Sequence, residues 1–244
     1  ERTVLNKDVG IPGDGLHSAL DAIVPILKSE KLVADFPSVR EYQIHLGVMY
    51  MNIGVSEVGA GKLADALVWT DKAIATLSPL LVAEPRSVVI RDHLRNCYQN
   101  RAIVNTEMQR YADAATDWGK AAEHSTKEQA PGYRAARASA LVNAGQVAEA
   151  LAVVAELEKS PGNDHELLYG LGCVYALAST KVAKKEQEYA DRAMELLQQA
   201  VKAGWKKAAH MKNDSDLAPL RGREDFKKLV ADLEAKVRDA EPKK

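Results

Sequence analysis

An all-α fold, a right-handed superhelical solenoid of antiparallel helix pairs with a C-terminal capping helix, is what this 244-residue sequence predicts. Three observations carry the prediction. First, a 48-residue register runs through the first half. Pro37, His45, Leu46 and Tyr50 return as Pro85, His93, Leu94 and Tyr98. Second, small residues recur in pairs: Ala66 with Ala73, and Ala114 with Ala121. Seven residues is about two helical turns, so each pair shares one face and lets a neighbouring helix come close. Third, hydrophobic residues make up 46% of the chain but aromatics only 5%. With abundant alanine, this bias favours packed helices over sheets.

Each repeat divides into two amphipathic helices. Asn52-Ile53-Gly54 corresponds to Asn100-Arg101-Ala102, and Lys62-Leu63-Ala64-Asp65-Ala66 to Arg110-Tyr111-Ala112-Asp113-Ala114. Gly61 and Gln109 mark the intervening turns. Trp69 and Trp118 lie between the paired alanines and fill the space that these leave. Helices are predicted over residues 16–35, 38–60, 62–83, 88–108, 110–127, 132–144, 146–159, 164–178 and 187–203. Pro25 predicts a kink or break in the first of these, and Pro79 a bend in the third. Pro37, Pro85, Pro131 and Pro161 fall at helix boundaries, where proline is tolerated.

The tail, Asp216 to Val237, reads differently. Asp214, Ser215 and Asp216 can cap the next helix start. Leu217, Leu220, Phe226, Leu229, Val230 and Leu233 form an apolar stripe that suits a cap on the last repeat, with Phe226 and Leu229 packed on it. The domain plan is therefore a flexible segment at 1–13, a repeat array at 14–203, a capping segment at 204–240 and a tail at 241–244.

These patterns resemble the tetratricopeptide repeat, which pairs a Leu-Gly-x-x-Tyr-like first helix with a second helix of Ala-x-x-x-Phe-x-x-Ala type. Ile53-Gly54, Gly61, Leu63, Ala66 and Ala73 fit one unit; Tyr111, Ala114, Trp118 and Ala121 fit the next. Ala138, Gly145, Ala150, Val154 and Leu157 fit a third. Leu171-Gly172-x-x-Tyr175 opens a fourth, whose second helix, with Ala193, Leu197 and Ala200, is delayed by the polar stretch Thr180 to Gln187. The family's usual 34-residue period is exceeded by 14 residues in the first two units, which implies helices about two turns longer.

Narrower segments are similar to the repeat region of planctomycete-type bacterial serine/threonine protein kinases. They are Lys31-Leu32-Val33-Ala34-Asp35-Phe36-Pro37 with its variant Leu81-Val82-Ala83-Glu84-Pro85, and a closing segment. The latter comprises Tyr189-Ala190-Asp191-Arg192-Ala193, Ala200-Val201, Asp216-Leu217-Ala218-Pro219-Leu220-Arg221 and Asp225-Phe226. The resemblance implies a bacterial, kinase-associated, non-catalytic interaction scaffold. An intramolecular regulatory or dimerisation element of such a kinase is the alternative. Kinase motifs are lacking in these 244 residues: neither Gly-x-Gly-x-x-Gly nor His-Arg-Asp nor Asp-Phe-Gly occurs.

Other function classes find little support. The net charge is −1, so no basic field favours nucleic acid or anionic lipid. No apolar run is read as approaching the roughly 20 residues of a membrane span. Glu1-Arg2-Thr3 has neither an initiator Met nor a signal-peptide core and reads as a trimmed start. Cys97 and Cys173 are far apart and read as buried small hydrophobes in a reducing, cytoplasmic setting. Gly10 to Gly15 lacks the Lys-Ser/Thr of a phosphate loop and reads as a turn. His45 and His93 share a repeat position, which favours packing over metal binding. Asp214-Ser215-Asp216 lacks the Gly and distal Glu of a calcium loop. His93 and Cys97 share a helical face, yet nothing nearby would orient a catalytic base. No catalytic residue, metal or cofactor is therefore expected.

The expected functional surface is the concave groove, lined in tetratricopeptide arrays by first helices. The register places Met51, Val55 and Val58 there, then Asn96, Gln99, Ile103, Thr106 and Glu107. Ala135, Ser139, Val142 and Asn143 follow, then Glu166, Tyr169 and Cys173. Its ligand would be a protein or peptide, and self-association is compatible with it. Some members clamp a C-terminal carboxylate with five Lys, Asn and Arg positions. Here Met51, Val55, Gly132 and Ala136 occupy four of them, and only Asn100 matches, which argues against such a ligand.

Overall fold

Short turns built alike in successive repeats organise this chain. A computed structural model describes residues 13–159, 162 and 164–240. Among the described residues there are eleven α-helices, one 3-10 turn and no strand. The helices are α1 (Gly13–Asp35), α2 (Arg40–Gly59), α3 (Leu63–Ala83), α4 (Val88–Glu107), α5 (Tyr111–Glu123) and α6 (Ala130–Asn143). They continue with α7 (Val147–Leu157), α8 (His165–Ser179), α9 (Glu186–Ala203), α10 (Ala208–Asn213) and α11 (Glu224–Ala240), with the 3-10 turn at Ser215–Leu220. The expected Gly10 turn and Pro161 boundary lie outside the described residues, except that Gly13 already opens α1.

The turns show the repeat in backbone form. The amide of Lys62 donates to Glu57 O, that of Arg110 to Asn105 O and that of Gln146 to Leu141 O. The residue before each amide has positive φ: Gly61 at 74°, Gln109 at 58° and Gly145 at 82°. This hydrogen-bonded reversal closes one helix and starts the next, satisfying carbonyls that the helix end leaves open. Glycine suits it because it has no Cβ; Gln109 adopts it against its preference.

Small residues then set how closely the paired helices pack. Ala66, Ala114, Ala150 and Ala193, one from each second helix, are all 0% exposed. On the first helices, Gly54 faces Ala66 and Gly172 faces Ala193, where an added Cβ would lie 3.3 and 3.4 Å from the alanine carbonyl oxygens. A Cβ on Gly54 would come within 2.7 Å of Thr70 Oγ1, and one on Gly172 within 3.0 Å of Leu197. The expected second helices are thus in register, and the fourth pair is separated by the predicted longer loop, between Ser179 and Glu186.

The chain divides into two compact units, residues 1–100 and 101–244, with the boundary inside α4. In the first, Leu46, Tyr50, Ala73, Leu77, Ile90, Leu94 and Cys97 form a core, and Trp69 packs on it 5.7 Å from the Tyr50 ring. In the second, a larger core runs from Ala114 through Leu171 and Leu197 to Leu233. There Arg101 grips buried Asp117 with two hydrogen bonds of 3.0 and 2.6 Å, and Asn105 adds a third. This joins α4 to α5 at the position where an unpaired carboxylate would be costly.

Three expectations change. Pro25 lies inside an uninterrupted α1 rather than at a break, whereas Pro79 lies late within α3, as expected. Helix α3 has 21 residues and contains an 18-residue window of mean hydropathy 1.3, long and apolar enough to cross a membrane, contrary to the reading that no run approaches this. Its Ala73, Leu77 and Leu80 enter the first core, while only 28% of that window is buried. Finally, the tail contains α10 and a 3-10 turn besides the capping helix. Phe226, Val230 and Leu233 are buried in the second core, with Leu229 packed against it, as the cap reading requires.

Candidate functional site

The first-helix residues expected to line a groove meet different fates in the two units. In the first unit, Val55 on α2 is 48% exposed, while Met51 and Val58 are half-buried and Met51 packs on the core. On the N-terminal part of α4, Asn96 and Gln99 are half-buried. In the second unit, Ile103 is 37% exposed, and Thr106 and Glu107 are exposed. Ser139 and Asn143 on α6 are half-buried, whereas Ala135 and Val142 are buried. On α8, Glu166 is exposed but Tyr169 and Cys173 are buried. As side chains offered to an external partner, Ala135, Val142, Tyr169 and Cys173 are therefore covered in this conformation.

The cover is the chain itself. Gly204, at φ 119°, ends α9 in the left-handed conformation and redirects the chain. Trp205 then stacks on Tyr169, ring centroids 3.8 Å apart and planes 7° from parallel. Met211, Leu217 and Leu220 are 0% exposed in the same core, and the 3-10 turn packs along α8. Polar contacts complete the joint. Lys207 reaches Glu166 at 2.8 Å, and Tyr169 Oη donates to Asp214 Oδ2 at 2.7 Å. The Cys173 thiol points to the same carboxylate oxygen at 3.8 Å. His210 Nε2 lies 3.5 Å from it.

Ligand atoms of Cys173, Asp214 and Asp216 all lie within 4.8 Å of one another, the one such group among the described residues that could hold a metal. Its donors are committed locally. Asp214 Oδ1 accepts the Asp216 amide at 2.9 Å while Oδ2 accepts Tyr169, so Asp214 caps the 3-10 turn as its sequence position implies. Burial, then the Asp214 and Asp216 charges, push the Cys173 thiol up, which keeps it protonated and poorly nucleophilic. Burial likewise raises the Tyr169 hydroxyl well above its ordinary range, followed by the neighbouring thiol and carboxylate. Burial first, and Asp214 second, push Asp216 up to about 6. The arrangement ties the closing segment to α8 through Tyr169, Cys173 and Asp214.

Sequence reasoning missed this joint, because the register alone does not tell what covers a first helix. One signal was available: Trp205, Ala208 and Met211 recur every three residues, an apolar stripe over a single turn or two. The open candidates are thus Val55, Val58, Asn96 and Gln99 in the first unit, and Ile103, Glu107, Ser139, Asn143 and Glu166 in the second. Comparison of the chain with protein-family models and with curated proteins finds no match to either.

Proposed function

We propose that this chain is a non-catalytic protein-interaction scaffold that takes a peptide or protein partner on the open part of its first helices. The observation that carries this reading is the exposure of apolar residues within each unit: Val55 at 48%, and Val88 and Val89 at the start of α4 at 64% and 56% in the first, and Ile103 at 37% in the second. Apolar side chains at interfaces supply the desolvated anchors of binding, and exposed ones on paired helices suit an amphipathic or extended segment. The finer architecture, a right-handed superhelical stack of tetratricopeptide type, rests on the repeat register and the shared turn geometry. A cytoplasmic setting rests on the two separated cysteines, and a bacterial parent serine/threonine kinase on the resemblance of Lys31 to Pro37 and of the closing segment.

Selection from a displayed peptide library, followed by titration of the recovered peptides, tests the reading. Val55→Glu or Ile103→Glu should weaken binding by at least about tenfold, since a charge placed in a desolvated contact costs more than 1.4 kcal/mol. Peptides that bind both variants as well as the native chain would sink it. A regulatory or dimerisation role for the same region is the second reading, favoured by Val68 at 54% and Val82 at 81% exposed on α3. It predicts a mass that rises with concentration in sedimentation equilibrium.

A further inference from the structure

The closing segment folds over α8 and leaves a cleft on its other side, between the end of α9 and α11. This pocket, about 380 Å³, is walled by Val201, Trp205, Leu233 and Val237, and flanked by Lys206 and Lys236. Volumes of roughly 300–1,000 Å³ with apolar walls and few polar groups are typical of small-molecule sites. Its charge is one-sided, because no carboxylate is among the lining residues. Some nearby cations are paired, Lys207 with Glu166, Lys212 with Glu234, and Arg223 with Asp191. Lys206 and Lys236, like Lys202 and Lys228 beside the cleft, form no ion pair with a residue whose side chain is described. An apolar cleft between two such ammonium groups is complementary to a molecule with an apolar body and one anionic head.

We propose that this cleft binds a free medium-chain aliphatic carboxylate, its head between Lys206 and Lys236 and its chain along Val201, Leu233 and Val237. Branched aliphatic walls favour an alkyl chain over an aromatic ring. The size of the cleft suits a single chain rather than a folded partner. This site is separate from the first-helix surface, so it stands or falls independently of the scaffold reading.

Isothermal titration of the full chain with decanoate, below its micellar concentration, tests the proposal. Saturable one-to-one binding is expected, at least about tenfold weaker for decanol, which lacks the charge. The double variant Lys206→Glu with Lys236→Glu should lose at least as much, with its thermal midpoint confirming that it is folded. Val237→Trp should block the cleft while keeping both lysines. Non-saturable uptake, equal affinity for decanol, or unchanged binding by the folded lysine variant would each overturn the assignment. The last result would point to hydrophobic partitioning elsewhere on the surface.

Discussion

Single residues set the helix spacing. Ala66 and Ala114 are fully buried where α3 meets α2 and α5 meets α4, and Thr70 beside Ala66 already folds its hydroxyl back onto the Ala66 carbonyl at 2.8 Å. Ala66→Leu and Ala114→Leu should therefore overpack these contacts and each cost about 1–3 kcal/mol. A thermal midpoint unchanged in both would show that the close approach is not needed. Asp216 provides a test by pH. Its carboxyl stands at about 6 in the folded chain against an ordinary 3.8, because burial and Asp214 disfavour its charge. The folded chain holds that proton more tightly than the unfolded one. The contribution is therefore fully present below pH 3.8 and is lost as pH rises through 6. Its size is about 3 kcal/mol, as an order of magnitude. Asp216→Asn keeps the shape without the titration, so it should melt above the native chain at pH 7.5, with the difference closing near pH 4. Parallel melting profiles across that range would contradict the buried-carboxylate account.

At the scale of elements, the tail is integral to the second core rather than a lid laid on it. Leu217 and Leu220 are fully buried, Phe226 nearly so, and Tyr169 finds its hydroxyl partner in Asp214. Each buried Leu or Phe contributes about 1.5–3 kcal/mol. Truncation after Lys212 should thus lower the melting midpoint more than any single substitution in the tail. It should also promote association through the uncovered apolar face of α8 and α9. A truncated chain that stays monomeric and melts as the full one does would remove the cap. The helices themselves were legible in the sequence to within a few residues, because glycine or a tolerated left-handed residue marks each turn and a period of seven marks each face. Helix α10 was not, since six residues with two apolar positions carry too little periodicity to announce themselves. The continuity of α1 through Pro25 was not legible either, since proline removes one internal bond but need not end a helix.

For the whole chain, the scaffold reading makes a negative prediction with a clear readout. The 244 residues lack the Gly-x-Gly-x-x-Gly, His-Arg-Asp and Asp-Phe-Gly motifs with which kinases cradle phosphates and hold Mg²⁺. Calorimetry with Mg-ATP should therefore show no binding. A micromolar complex would mean that a nucleotide site exists which neither motif nor geometry reveals, and the scaffold reading would have to be abandoned.

The sequence by itself determined the repeat, its helices and the partners within each pair, because those depend on local turn chemistry and on small residues at fixed spacing. The positions of Gly54, Ala66, Ala102 and Ala114 carry that information without reference to anything distant. The tertiary structure alone decided which first-helix residues stay open. Tyr169 and Cys173 occupy groove positions in the register, yet they are covered by Trp205 and Asp214, more than 30 residues later in the chain. Such coverage depends on where a chain returns after it leaves the repeat. Periodicity reports which face of a helix is apolar, but not which later segment will bury it.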